Sequence, residues 1–236
     1  MAYGFRILFV MVMAGFLAGC VTTHHKQISE LKRTKPEANV LLMPLDVELT
    51  ELSAGGLEEP KAEWTTAARE HMLTAIRAEK QAKGLRIVEF KSADDGSGEL
   101  TVQEQLSKLN RAVGKAVIMH QVSPAQIWKL PSKEGRMDWS LGPEVRALKQ
   151  RYDADYALFF FVRDSYASAG RAATMVIAAL LGVGIQGGVQ VGFATLVDLE
   201  TGDVVWVNQM ARGTGDLRTI APATESVKLM LAGFPQ

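Results

Sequence analysis

Hydrophobic and polar positions divide the chain into three parts: a short apolar head, a polar stretch, and a long region where apolar runs alternate with amphipathic ones. Asn39-Val-Leu-Leu-Met-Pro-Leu-Asp46 is an apolar run broken by proline, the pattern of a buried first strand ending at a turn. Val47–Pro60, with Gly55-Gly56 and Glu58-Glu59, reads as a loop. Ala62–Lys83 has helical spacing. Ala67, Met72, Leu73, Ile76 and Ala78 supply part of its apolar face, Arg69, Glu70, Arg77, Glu79 and Lys80 its wet face, and Gly84 its stop. Leu85–Phe90 reads as a second strand and Asp94–Gly98 as a turn-rich break. Thr101-Val-Gln-Glu104 has capping-box spacing and opens a helix to about Met119, with Leu106, Leu109, Val113 and Val117 as its buried stripe.

Ser123–Gly142 is irregular and carries Trp128 and Trp139. Pro143–Tyr152 resumes as a helix with proline in its first turn. Asp155–Arg163 is a strong central strand. Val189–Leu199 and Val204–Met210 form a hairpin around Glu200-Thr-Gly-Asp203, and Thr219–Leu231 closes as a short helix. The order β-α-β-α-α-β, then a β-hairpin, then α, predicts an α/β (α+β) fold: a mixed sheet flanked by helices, over residues 39–236.

Ala169–Gly188 breaks this rhythm. Ala172–Ile185 is 14 residues without a charge, and Gly182, Gly184, Gly187 and Gly188 follow closely. It is too short to cross a bilayer as a helix, which takes about 20 residues. Three placements fit: a buried helix or hairpin on the sheet; an exposed apolar arm against a partner or second copy; or a segment dipping into lipid or joining a multi-subunit barrel. Poor alternation through Met175–Leu181 argues against a lipid-facing strand. Met175, Val176, Ile177, Leu180 and Leu181 are its candidate contact residues.

Composition narrows the class. The chain carries 26 basic and 26 acidic residues and is 47% hydrophobic, enough for a real core and without the electrostatic footprint of a nucleic-acid binder. One cysteine excludes an internal disulfide.

That cysteine is Cys20, and its setting matters more than its chemistry. Met1–Arg6 holds one positive side chain, Arg6. Ile7–Phe16 is apolar, and Leu17-Ala18-Gly19 are apolar or small. This is the charged, apolar, small-residue order of an export signal. The run Leu17-Ala18-Gly19-Cys20 resembles a bacterial lipobox. The resemblance implies a signal peptide over 1–19, cleavage before Cys20, and acylation of its sulfur, tethering the protein to a membrane. Lipoproteins kept at the inner membrane usually carry Asp after the cysteine; Val21 points to the outer membrane, with the body facing the periplasm. Residues 20–38 then read as the lipidated cysteine and a polar tether, flexible or partly helical.

A search for catalytic chemistry finds few candidates. His24-His25, His71 and His120 lack partners at metal-ligand spacing. Ser165 and Ser168 follow Asp164 without a Gly-x-Ser-x-Gly elbow, and the glycines of 182–188 do not spell Gly-x-Gly-x-x-Gly. No cofactor, metal or catalytic residue is expected. Trp128 and Trp139 are the candidate partner anchors, tryptophan being enriched at interface hot spots.

Taken with the lipobox, the strand Val40-Leu-Leu-Met-Pro44, the strand Ala154-Asp-Tyr-Ala-Leu-Phe159 and the hairpin Val197–Trp206 resemble a group of periplasmic lipoproteins. Their fold is shared by the curli secretion channel subunit, the Pel polysaccharide lipoprotein and the penicillin-binding-protein activator lipoproteins. The resemblance implies an α/β core that acts through protein contacts and contributes no catalytic residues. The chain departs from the channel subunit in lacking two long alternating strand pairs fit for a barrel. The expectation is a non-catalytic accessory or scaffold of an envelope complex, with an envelope protein as partner. The alternative is a self-assembling ring or pore subunit for outer-membrane secretion.

Overall fold

The computed structural model describes residues 21–27, 31, 38–83, 86–91, 99–122 and 128–235. Cys20, the expected export signal before it, Gly84 and the Asp94–Gly98 break lie outside them. A mixed, largely antiparallel sheet carries helices on both faces, as the pattern predicts. Its strands are β1 (Val21–Gln27), β2 (Asn39–Leu42), β3 (Asp46–Leu52), β4 (Glu58–Pro60), β5 (Arg86–Glu89), β6 (Tyr156–Ala167), β7 (Gln190–Asp198) and β8 (Val204–Arg212). The helices are α1 (Ala62–Lys83), α2 (Glu99–Val117), α3 (Arg146–Tyr152), α4 (Ala169–Leu180) and α5 (Ile220–Met230). A π-helical turn, Ile118–Val122, continues α2.

The spatial order is β1-β8-β7-β6-β2-β5, with β3 also on β6 and β4 on β3. β6 is the hub. Tyr156–Leu158 pair in parallel with β2 and Phe161–Ala167 with β3, so β2 and β3 lie end to end along one side of a 12-residue strand. Pro44 falls in the gap, where a missing N–H costs the ladder nothing. On the other side β6, β7, β8 and β1 are antiparallel in turn.

Each face of the sheet has its own core. Ala68, Met72, Ala75 and Ile76 of α1 and Ala223, Val227 and Met230 of α5 cover Leu49, Leu158, Phe160, Leu196 and Trp206. Leu106 of α2, with Val145 and Leu148 at α3, covers Leu41, Met43, Phe159, Val197 and Val204. Period-two alternation along β6 sorts its side chains between these cores.

Four expectations are corrected. Val21–Gln27 is not a tether: it is an edge strand, with Val21 opposite Arg212 and Gln27 opposite Trp206. An edge strand is held by backbone hydrogen bonds, and its polar side chains, Thr22 and Thr23 among them, suit an edge facing water. Val47–Pro60 is not all loop, since β3 and β4 occupy much of it. Val47, Leu49 and Leu52 point into the core while Glu48 stays exposed, and the acidic residues masked that alternation. Along α1, Ala78 is exposed and Glu79 buried, reversing the expected faces. α2 begins at Glu99, two residues before the predicted cap.

Candidate functional site

The irregular connection between the π-helical turn and α3 positions the two tryptophans differently. His120 and Gln121, both on the turn, reach across it. His120 Nδ1 donates to the Trp128 carbonyl, Gln121 Nε2 donates to the Arg136 carbonyl, and the His120 ring stacks on Trp139 with the planes 3° apart. Trp139 is half-buried against the second core. Lys133 Nζ lies 4.6 Å from its ring centre, and its carbonyl accepts from Val204 N at 2.8 Å. It pins the connection to the sheet, which leaves it poorly placed as a free anchor.

Trp128 is 61% exposed. It stands on a groove of about 440 Å³ floored by Phe161, Val191 and Phe193 of the sheet and walled by Lys115, Ile118 and Met119. Cations gather over one floor residue: Arg163 Cζ at 4.2 Å, Lys115 Nζ at 5.0 Å and Arg111 Cζ at 5.8 Å from the Phe161 ring centre. Arg163 and Arg111 also bridge to Asp46 at 2.9 and 2.7 Å. Those two arginines are thus neutralised and lie outside the groove lining, which is aromatic with a basic residue, Lys115, on its wall; this chemistry suits an apolar segment flanked by a carboxylate.

The apolar segment forms α4 and then a Gly-rich return into β7. Ser168 caps the helix, accepting from Arg171 N at 3.1 Å. Its outer face is unusually apolar: Val176 is 62% exposed, Ile177 61%, Leu180 82% and Leu181 76%, with Val183 at 54% just beyond. Met175 instead tucks beneath the helix, where an added methyl on Gly187 would approach its Cε to 3.2 Å. Of the three placements, the buried one is not observed; the exposed face fits either of the other two. No described helix is long and apolar enough to cross a membrane.

A further cluster escaped the sequence. Asp164, Gln190 and Arg212 sit side by side on β6, β7 and β8, all buried. Asp164 Oδ2 accepts from the Tyr166 hydroxyl, from Gln190 Nε2 at 2.7 Å and from Leu217 N at 3.4 Å. Ser226 Oγ donates to Gln190 Oε1 at 2.5 Å, and Arg212 Nη2 donates to Glu225 at 3.0 Å. Burial raises the Asp164 carboxyl above its ordinary range, while its hydrogen bonds pull the other way. Burial and the neighbouring Asp164 push the Tyr166 phenol upward. The cluster ties α5 and the Leu217 loop to the sheet.

The remaining suspects have structural partners. Ser165 Oγ donates to the Val189 carbonyl and accepts its N–H, and His71 Nδ1 donates to the Leu217 carbonyl at 3.0 Å. Among the described residues no group of three His, Cys, Asp or Glu side chains is placed to hold a metal ion.

This mixed sheet between two helical layers defines an α/β domain class. The chain matches no protein-family model and no curated protein. Among solved structures it is similar to the PelC dodecamer from Paraburkholderia phytofirmans, at 13% identity and a TM-score of 0.42, over 90% of this chain and 96% of that one. It is also similar to a DUF4136 family protein from Bacteroides thetaiotaomicron, at 13% identity and a TM-score of 0.32, over 91% and 94%.

Proposed function

We propose that this protein is an outer-membrane lipoprotein, acylated at Cys20 and facing the periplasm, that works without catalysis by holding another envelope protein. The observation that carries the contact reading is Trp128, an exposed indole on an aromatic groove with Lys115 on its wall. A large, rigid, amphipathic side chain beside a preformed groove is the usual anatomy of an interface hot spot. The occupant this chemistry fits is an apolar segment of a second envelope protein carrying a carboxylate to meet Lys115.

A photocrosslinking residue at position 128, in cells, tests the reading. The expected result is one discrete adduct with an envelope protein, weakened by Lys115→Glu. A control crosslinker at the exposed Glu104 should give none. Absence of the 128 adduct, or an adduct indifferent to Lys115→Glu, would overturn it. Trp128→Ala should weaken the partner by about 2 kcal/mol or more, with unfolding stability changed by less than about 0.5 kcal/mol, since the side chain is exposed.

The second reading, a self-assembling ring or pore subunit, draws support from the exposed face of α4. Native mass in mild detergent separates the two: a single large assembly of the lipidated chain favours the ring, and a monomer or small oligomer the accessory role.

A further inference from the structure

We propose that α4 and the Leu181–Val183 turn lie in the headgroup layer of the same membrane leaflet that holds the acyl chains on Cys20, so that the domain is docked on the bilayer at two points. The inference rests on the reading of Cys20 as the acylated residue.

Strand register carries the argument. Val21 stands opposite Arg212, Arg212 opposite Gln190, and Gln190 opposite Asp164, forming one row across β1, β8, β7 and β6. β1 runs antiparallel to β6, so the start of β1 and the end of β6 share one end of the sheet. Three strand spacings separate them, about 14 Å. β6 ends at Ala167 and α4 begins at Ala169, off that same end. Cys20 directly precedes Val21, so one residue, about 3.5 Å of chain, lies between the acylated position and the sheet. With β1 paired rather than slack, an acylated Cys20 brings this end of the sheet to the membrane surface, and α4 goes with it.

The chemistry of α4 suits that depth. From Ala167 to Gln190 the chain carries one charge, the cation of Arg171, and no carboxylate to repel phosphate headgroups. At 12 residues α4 is about 18 Å long, too short to cross roughly 30 Å of hydrocarbon. A short helix with one apolar face lies in the interface plane. Val176, Ile177, Leu180 and Leu181 supply that face, and no described residue covers it.

The test uses the lipidated chain reconstituted in phosphatidylethanolamine–phosphatidylglycerol vesicles. Cys20 is the sole cysteine and its sulfur is acylated, so Leu180→Cys offers one thiol for an environment-sensitive fluorophore. A control label replaces Glu200, at the β7–β8 turn at the opposite end of the sheet. The expected result is blue-shifted emission at 180, quenched at least twofold more by nitroxide on lipid chains than by aqueous iodide, with the reverse at 200. A chain that floats with the vesicles while position 180 is as open to iodide as position 200 would overturn the proposal. So would a label at 180 shielded from both quenchers, because α4 would then face a second copy or a partner. A chain that fails to float would overturn the Cys20 reading itself, and the docking inference with it.

Discussion

Trp206→Ala is expected to cost about 3–5 kcal/mol of stability, the range for emptying a large aromatic site in a core. Trp206 is fully buried near the start of β8, faces the α1–α5 layer and meets Phe234 edge-on at 5.3 Å between ring centres. It also stands opposite Gln27, where β1 closes the sheet, and opposite Leu196 of β7. The cavity would be bounded by backbone of a central strand, which cannot collapse without dragging its neighbours. Chemical denaturation followed by far-UV circular dichroism measures the loss. Trp206→Phe, which keeps an aromatic ring against Phe234, should recover much of it. A loss below about 1 kcal/mol for the alanine variant would mean that the α5 side of the sheet is packed otherwise.

Asp164→Ala should cost about 2–4 kcal/mol, because it strips the acceptor from Gln190 Nε2 and Tyr166 Oη in a buried site. Leu217 N keeps the Tyr166 oxygen at 2.9 Å, which limits the damage. Asp164→Asn retains an acceptor oxygen and should stay within about 1 kcal/mol of the parent at neutral pH. The pH dependence has a definite sign. Burial raises the native carboxyl above the unfolded value of 3.8, so the native state holds its proton longer. That contribution is fully present below pH 3.8 and is lost as pH rises through the native value. Asparagine removes this part of the slope. Denaturation midpoints for the parent and both variants between about pH 3.5 and 7 measure it. Equal slopes for the parent and Asp164→Asn would show that the carboxyl ionises alike in both states.

Much of the fold was legible because apolar runs and helical spacing survive without context. β6, the β7–β8 hairpin and the lengths of α1 and α5 all follow from patterns of buried positions. β1 and β3 were not legible, for a shared reason. An edge strand such as β1 is fixed by backbone pairing that leaves no hydrophobic signature, and in β3 the residues Glu48 and Glu51 hide Val47, Leu49 and Leu52. The candidate site was legible in half. Two tryptophans in an irregular segment stood out, yet only the contacts from His120 and Lys133 distinguish the pinned Trp139 from the exposed Trp128. The row Asp164–Gln190–Arg212 was invisible because its members lie 26 and 22 positions apart and meet only through register.

The pairing of β1 with β8 also sets an order of events. Thr22 Oγ1 donates to the Ala211 carbonyl across 189 positions, so the first described strand waits for the last before it can join the sheet. Contacts of such long range form late. Until then β8 presents an open edge, a template for unwanted pairing. Closure of the sheet by β1 turns that open edge into a paired interior strand and ends the exposure to aggregation.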